Sequence, residues 1–133
     1  MAQIKGILVN DGGAPARIIN FTAAADISAG ECLRIDASGK AALATDNNVP
    51  LAGVALTDVS SGAQCSMVTG SGVILYAVCE LNVNRGDVLM TDTASAGTAG
   101  SLIVGGATDT NMPVAQALED APAAGGLTKV LVF

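Results

Sequence analysis

The chain has no histidine. It therefore lacks the commonest general base and the usual partner of a serine or cysteine nucleophile. Three cysteines remain, Cys32, Cys65 and Cys79. Their odd number and the lack of a CxxC spacing predict neither a disulfide framework nor a zinc site, and they read as buried reduced thiols that pack as small hydrophobes. No serine stands in a GxSxG elbow, and the GG and GSG pairs lead into no lysine or helix start, so an acyl-transfer nucleophile and a phosphate cradle are both missing. Glu119 and Asp120 are neighbours that would face opposite ways in a strand, which predicts a solvated turn. Asp46 and Asp109 each stand two residues before an asparagine and four before a proline, Pro50 or Pro113. Calcium loops concentrate more carboxylates and add a bidentate glutamate, so these aspartates are expected to bond local backbone amides. No catalytic residue, metal or cofactor is expected.

One stretch does match a known binding signal. NVNRGDVLMTD, residues 82 to 92, contains Arg85-Gly86-Asp87, the tripeptide that secreted adhesive proteins display to receptors. An adhesion module is expected to carry an export signal and disulfides. The N-terminal residues lack a basic region followed by an apolar run and a small-residue cleavage site. A protein made in a cytosol and soluble there is the expectation.

The elements that must position these residues follow from composition. The 133 residues suit one domain, half of them are apolar, and only Phe21, Tyr76 and Phe133 are aromatic. A core of Ala, Val, Leu and Ile has thin layers, and small residues with low charge favour self-association. The net charge of −6 is scattered rather than clustered, which argues against a nucleic-acid partner. No apolar run approaches the length of a membrane span.

Gly or Pro interrupts almost every helical window, whereas short apolar or alternating runs lie between turn residues. IKGILV, RIINF, CLRI, LAGVAL, CSMV, VILYAV, VLM, LIV, PVAQAL and KVLVF all read as strands. The expected fold is all-β, a compact β-sandwich or partly closed β-barrel of β-tulip type. It is built from two related repeats behind an N-terminal arm or hairpin, residues 1–25.

The repeat shows in two blocks. DISAGECLRID, from Asp26, aligns with NVNRGDVLMTD at an offset of 56, and ATDNNVPLA, from Ala44, aligns with ATDTNMPVA at an offset of 63. The expected limits are 26–69 and 82–133, joined by a linking strand at 70–81, with the seven extra residues of the second copy in a longer loop at 93–106. Gly30 and Gly86 then occupy matching corners that demand positive φ or close backbone approach. The acidic residue after each, Glu31 or Asp87, is expected to point outward from a strand start. Pro50 and Pro113 fit the first residue of a strand. In this alignment the tripeptide is a strand-entry corner whose glycine alone is fixed by architecture.

From Ile27 to Ile74 the residues ISAGECLRIDASGKAALATDNNVPLAGVALTDVSSGAQCSMVTGSGVI resemble the head-decoration, or capsid-cement, proteins of tailed bacteriophages. The shared elements are an AGxxL corner, a DxSGK-like hairpin, GVALTDVSSG and a VTGSGVI step, with weaker echoes over 82–133. The resemblance implies a protein outside an expanded capsid, commonly a homotrimer, that clamps neighbouring major capsid protein subunits. Position and apolarity make Ile4, Ile7, Val9, Phe21 and Tyr76 the interface candidates, with IKGILV either extending to pair with a capsid strand or serving as an internal strand. An adhesion module using Arg85-Gly86-Asp87 and a small β domain of an enzyme or ligand-binding complex are the competing readings.

Overall fold

The computed structural model describes residues 16–44, 51–80, 83–91, 100–104, 113–121 and 126–133. Among these there is no helix, and ten strands carry the fold. They are β1 (Arg17–Thr22), β2 (Cys32–Ile35), β3 (Ala41–Leu43), β4 (Gly53–Ala55), β5 (Gln64–Thr69), β6 (Ile74–Cys79), β7 (Val88–Thr91), β8 (Leu102–Val104), β9 (Ala115–Ala117) and β10 (Gly126–Val132). Most are only three to six residues long, because a turn residue follows each short apolar run.

The strands form two five-stranded units that pack in a sandwich-like arrangement. The first has the order β1-β5-β4-β2-β3, and the second is a closed barrel, β10-β6-β8-β7-β9. Every pairing in the first has a counterpart in the second. The antiparallel contacts β1·β5, β5·β4, β4·β2 and β2·β3 recur as β6·β10, β10·β9, β9·β7 and β7·β8. The parallel contact that closes the barrel, Cys79 with Leu102, is matched by an isolated parallel bridge from Ala23 to Ala41. The first sheet is thus curled until its outer strands touch at one end.

This correspondence moves the expected boundaries. Ile74–Cys79, read as a linking strand, is β6 of the barrel and holds the place that β1 holds in the first unit. The offset is 56 at Leu33 and Leu89, 61 at Ala41 and Leu102, 62 at Val54 and Gln116, and 63 at Val68 and Leu131. Five of the extra residues therefore enter between β7 and β8, and the others one at a time further on. The apparent match of Ala52 with Ala115 shifts by one, since Gly53 pairs with Leu33 as Ala115 pairs with Leu89.

Period-two alternation fills each unit from one face of its strands. Leu33, Ala41, Ala55, Cys65 and Met67 line the first, with Ile19 and Phe21 partly buried against them. Their counterparts in the barrel are Leu89, Leu102, Ala117, Thr128, Val130, Leu75 and Ala77, all buried. Sizes trade off between equivalent places. The first unit has Phe21 and Ala41 where the barrel has Ala77 and Leu102, and Met67 where the barrel has Val130. Each interior is narrow, so a bulky residue on one strand is offset by a small one on its neighbour.

Ala77→Phe should overpack the barrel and cost roughly 1–3 kcal/mol. Adding Leu102→Ala, which copies the first unit's arrangement, should recover part of that loss in chemical denaturation.

Candidate interaction surface

Each unit enters its second strand through a corner built from the same bonds. In the first, Gly30 has φ 89° and its amide donates to the Ala55 carbonyl at 2.8 Å. The Ser28 amide donates to Glu31 Oε1 and the Ala29 amide donates to Asp58 Oδ1 at 2.7 Å. In the second, Gly86 also has φ 89° and its amide donates to the Ala117 carbonyl. The Asn84 amide donates to Asp87 Oδ2 at 2.8 Å and the Arg85 amide to Asp120 Oδ1 at 2.8 Å. Positive φ is why both corners hold glycine. Glu31 and Asp87 fold back along the surface and accept the amides of Ser28 and Asn84, each three residues earlier. Glu119 behaves likewise, accepting the Lys129 amide.

The Arg-Gly-Asp tripeptide therefore presents no free, extended aspartate. Asp87 is half-buried and bonded to Asn84, while Arg85 and Gly86 are exposed. The tripeptide is the barrel's version of Ala29-Gly30-Glu31.

What differs between the corners is what covers them. At Gly30 the barrel closes over: the Val78 amide donates to the Gly30 carbonyl at 2.8 Å, and the Cys32 amide donates to the Gly100 carbonyl at 2.7 Å. A Cβ on Gly30 would run into the Leu127 side chain and touch Val78. At Gly86 a Cβ would meet nothing within 4 Å. The outward row beside each corner follows suit. Cys32, Val54 and Val68, adjacent across β2, β4 and β5, are at most 1 % exposed and share one core cluster with the barrel's residues, against which Tyr76 and Leu127 also pack. The matching row of the barrel is Val88, Gln116 and Leu131, continued by Ile74. Val88 is 41 % exposed and the other three are half-buried.

The seam between the units also holds two thiols. Cys32 and Cys79 are buried in the same cluster and free. Burial, helped by the neighbouring Cys79 and Glu31, pushes the Cys32 thiol far up. Burial pushes Cys79 up to about 11, against a smaller opposing effect of the Thr128 hydroxyl. That hydroxyl, Thr128 Oγ1, is buried without a hydrogen-bond partner of ordinary geometry, so its interaction with Cys79 is weak. Burial raises Cys65 as well. Thiols held protonated in this way are poor nucleophiles.

The remaining sequence candidates are distributed as follows. Ile4, Ile7, Val9, Asp46, Pro50 and Asp109 lie outside the described residues. Phe21 shares the inward face of β1 with Ile19, so it lines the first unit instead of an outer surface. Tyr76 faces outward from β6 but packs in the seam between the units. Pro113 is exposed two residues before β9, not at its first residue. It borders a cleft of about 240 Å³ together with Leu51, Gly70, Val114, Val132 and Phe133. No residue lining that cleft is charged. Among the described residues no group of three or more Cys, Asp or Glu could hold a metal ion, and no acid, base and nucleophile converge.

No protein-family model matches this chain, and no curated protein matches it. A solved structure does. The chain is similar to the head fibre gp8.5 N base of bacteriophage phi29. The TM-score is 0.68 at 17% sequence identity, covering 90% of this chain and 95% of that one. The two share a fold along almost their full lengths.

Two expectations follow from the corners and the seam. Gly30→Ala carries both the strain of positive φ and a collision with Leu127, and should cost about 2–3 kcal/mol, whereas Gly86→Ala carries only the strain, roughly 1 kcal/mol. Denaturant midpoints of the two variants test the order. The thiols are protonated in the folded state at pH values where they ionise when unfolded, so their contribution is full below about pH 9 and is lost as pH rises toward 11. The decline should approach about 1.4 kcal/mol per pH unit for each thiol and be shallower in Cys79→Ala.

Proposed function

We propose that this chain is a non-catalytic structural protein of a tailed-phage virion, bound to the outside of the expanded capsid, where it cements neighbouring major capsid protein subunits. The observation that carries the reading is the end-to-end likeness of fold to a phage head-fibre base. The sequence resemblance to capsid-cement proteins supports it independently, since it rests on motifs between Ile27 and Ile74. The chemistry agrees. A net charge of −6 suits an exterior position better than contact with packaged DNA. Among the described residues Asp26, Glu31, Asp36, Asp58, Asp87, Glu119 and Asp120 accept backbone amides, so these polar residues build loops and leave apolar side chains for contact. Large exposed hydrophobics are available at Ile18, Ile35, Val88, Val104 and Phe133. The protein acts as a homotrimer in this reading, and Ile4, Ile7 and Val9 extend the contact by strand addition to a capsid sheet.

Purified protein mixed with expanded, undecorated capsids should bind to saturation at a fixed stoichiometry and raise the temperature at which the shells open. Removal of residues 1–9 should weaken that binding while the thermal unfolding of the protein itself is retained. Unsaturable or absent binding to such shells would sink the cement reading.

A further inference from the structure

The two units expose the same row of outward side chains to different fates. In the first unit Cys32, Val54 and Val68 are sealed by the barrel of the same chain. In the barrel the equivalent Val88, Gln116 and Leu131 meet nothing comparable among the described residues: Val88 is 41 % exposed, and Phe133, two residues beyond Leu131, is 49 % exposed, while Ile74 ends this row as its counterpart Ile18, 57 % exposed, ends the other. Two backbone features mark this as an unfilled seam. The Gly30 carbonyl is taken by the Val78 amide across the seam. The equivalent Gly86 carbonyl is instead taken by the Gln116 side chain, Nε2 donating at 3.1 Å, from the very position where the first unit has Val54. A glutamine there satisfies the carbonyl from within the chain and puts a polar group into an otherwise apolar row.

We propose that copies of this chain associate through the barrel row Val88, Gln116, Leu131 and Ile74, edged by Phe133. The occupant is a second copy presenting its own row. Within one chain a row of this geometry is already covered by apolar surface of the same chain, so the partner chemistry is on display in the molecule. The surface that does the covering in the chain, Tyr76, Val78 and Leu127, is used up. Its first-unit counterpart is Asn20, Thr22 and Gln64, a polar set tied up in the Ser66 Oγ to Asn20 Oδ1 and Gln64 Nε2 to Thr22 Oγ1 bonds. That set offers no apolar match. The row itself does, since Val88, Leu131 and Ile74 can pack on their own kind, and a primary amide at Gln116 can both donate and accept. This inference rests only on the self-association part of the proposed function.

The test is the mass of the full chain in sedimentation velocity at tens of micromolar. Wild type should sediment as an oligomer, at twice the chain mass where two rows face each other and at three times where the rows of three copies meet around one axis. Val88→Asp and Leu131→Asp should each shift the population to monomer by at least tenfold in dissociation constant, with unfolding still cooperative. Ile35→Asp, an equally exposed apolar site on the first unit, should leave the oligomer intact. Gln116→Ala should weaken association less than either charged variant. A monomeric wild type overturns the proposal, and so does an oligomer that survives both aspartates. Because mass is read without capsids, wild type that oligomerises yet ignores shells counts against the cement reading alone. Wild type that binds shells as a monomer counts against the row alone.

Discussion

A missing side chain at Gly30 allows the two halves of this molecule to join. The corner enters the barrel deeply enough for its carbonyl to receive the Val78 amide, and two residues on the Cys32 amide reaches the Gly100 carbonyl. These bonds make the first unit's second strand a short extension of the barrel's own pairing, at the point where β6 and β8 separate. The end of the Leu127 side chain occupies the volume that a Cβ would claim, with Val78 in contact beside it. Once this corner is seated, Cys32, Val54 and Val68 are buried together, and the two thiols of the seam lose contact with water. The close approach at this corner accompanies the burial of Cys32 that raises its thiol.

A second constraint is the small bore of each unit. With only three aromatic residues in the chain, the interiors are filled by aliphatic side chains, and equivalent strands exchange bulk instead of conserving it. Phe21 beside Ala41 occupies the same kind of space as Ala77 beside Leu102. Such compensation preserves packing volume while erasing sequence identity, which close-packed interiors tolerate better than a change in total volume. The pairing pattern has thus been kept where the residues have not.

That explains what could be read from the residues and what could not. Corners carry a backbone requirement, positive φ followed by a carboxylate that bonds nearby amides, and such requirements leave fixed letters: Gly30 with Glu31, Gly86 with Asp87. The all-β fold followed from short apolar runs between turns. The equivalence of β1 with β6 was hidden, because RIINFT and ILYAVC share only the alternation of inward and outward positions and almost no residue types. The one-residue shift at β4 was hidden too, since Ala52 and Ala115 match by composition while the pairing places Gly53 opposite Leu33. Phe21 and Tyr76 drew notice as the rare large rings, yet which face of a strand a ring takes is set by register, and register is a property of the neighbouring strand. The open row of the barrel had no signal at all in the letters; it becomes visible only when one half is laid on the other.

The polar patch of Asn20, Thr22 and Gln64 has a meaning for the molecule as a population. Head-to-tail contact between a tail surface of one copy and a head surface of the next propagates without limit unless its rotation happens to close. With apolar residues in the first unit where the barrel has Tyr76, Val78 and Leu127, every molecule would offer both ends of such a contact, and the product would be a ring or, where the rotation does not close, a fibre. Hydroxyl and amide groups already bonded to one another blunt that end, so the first unit offers no apolar surface on which a like unit could stack.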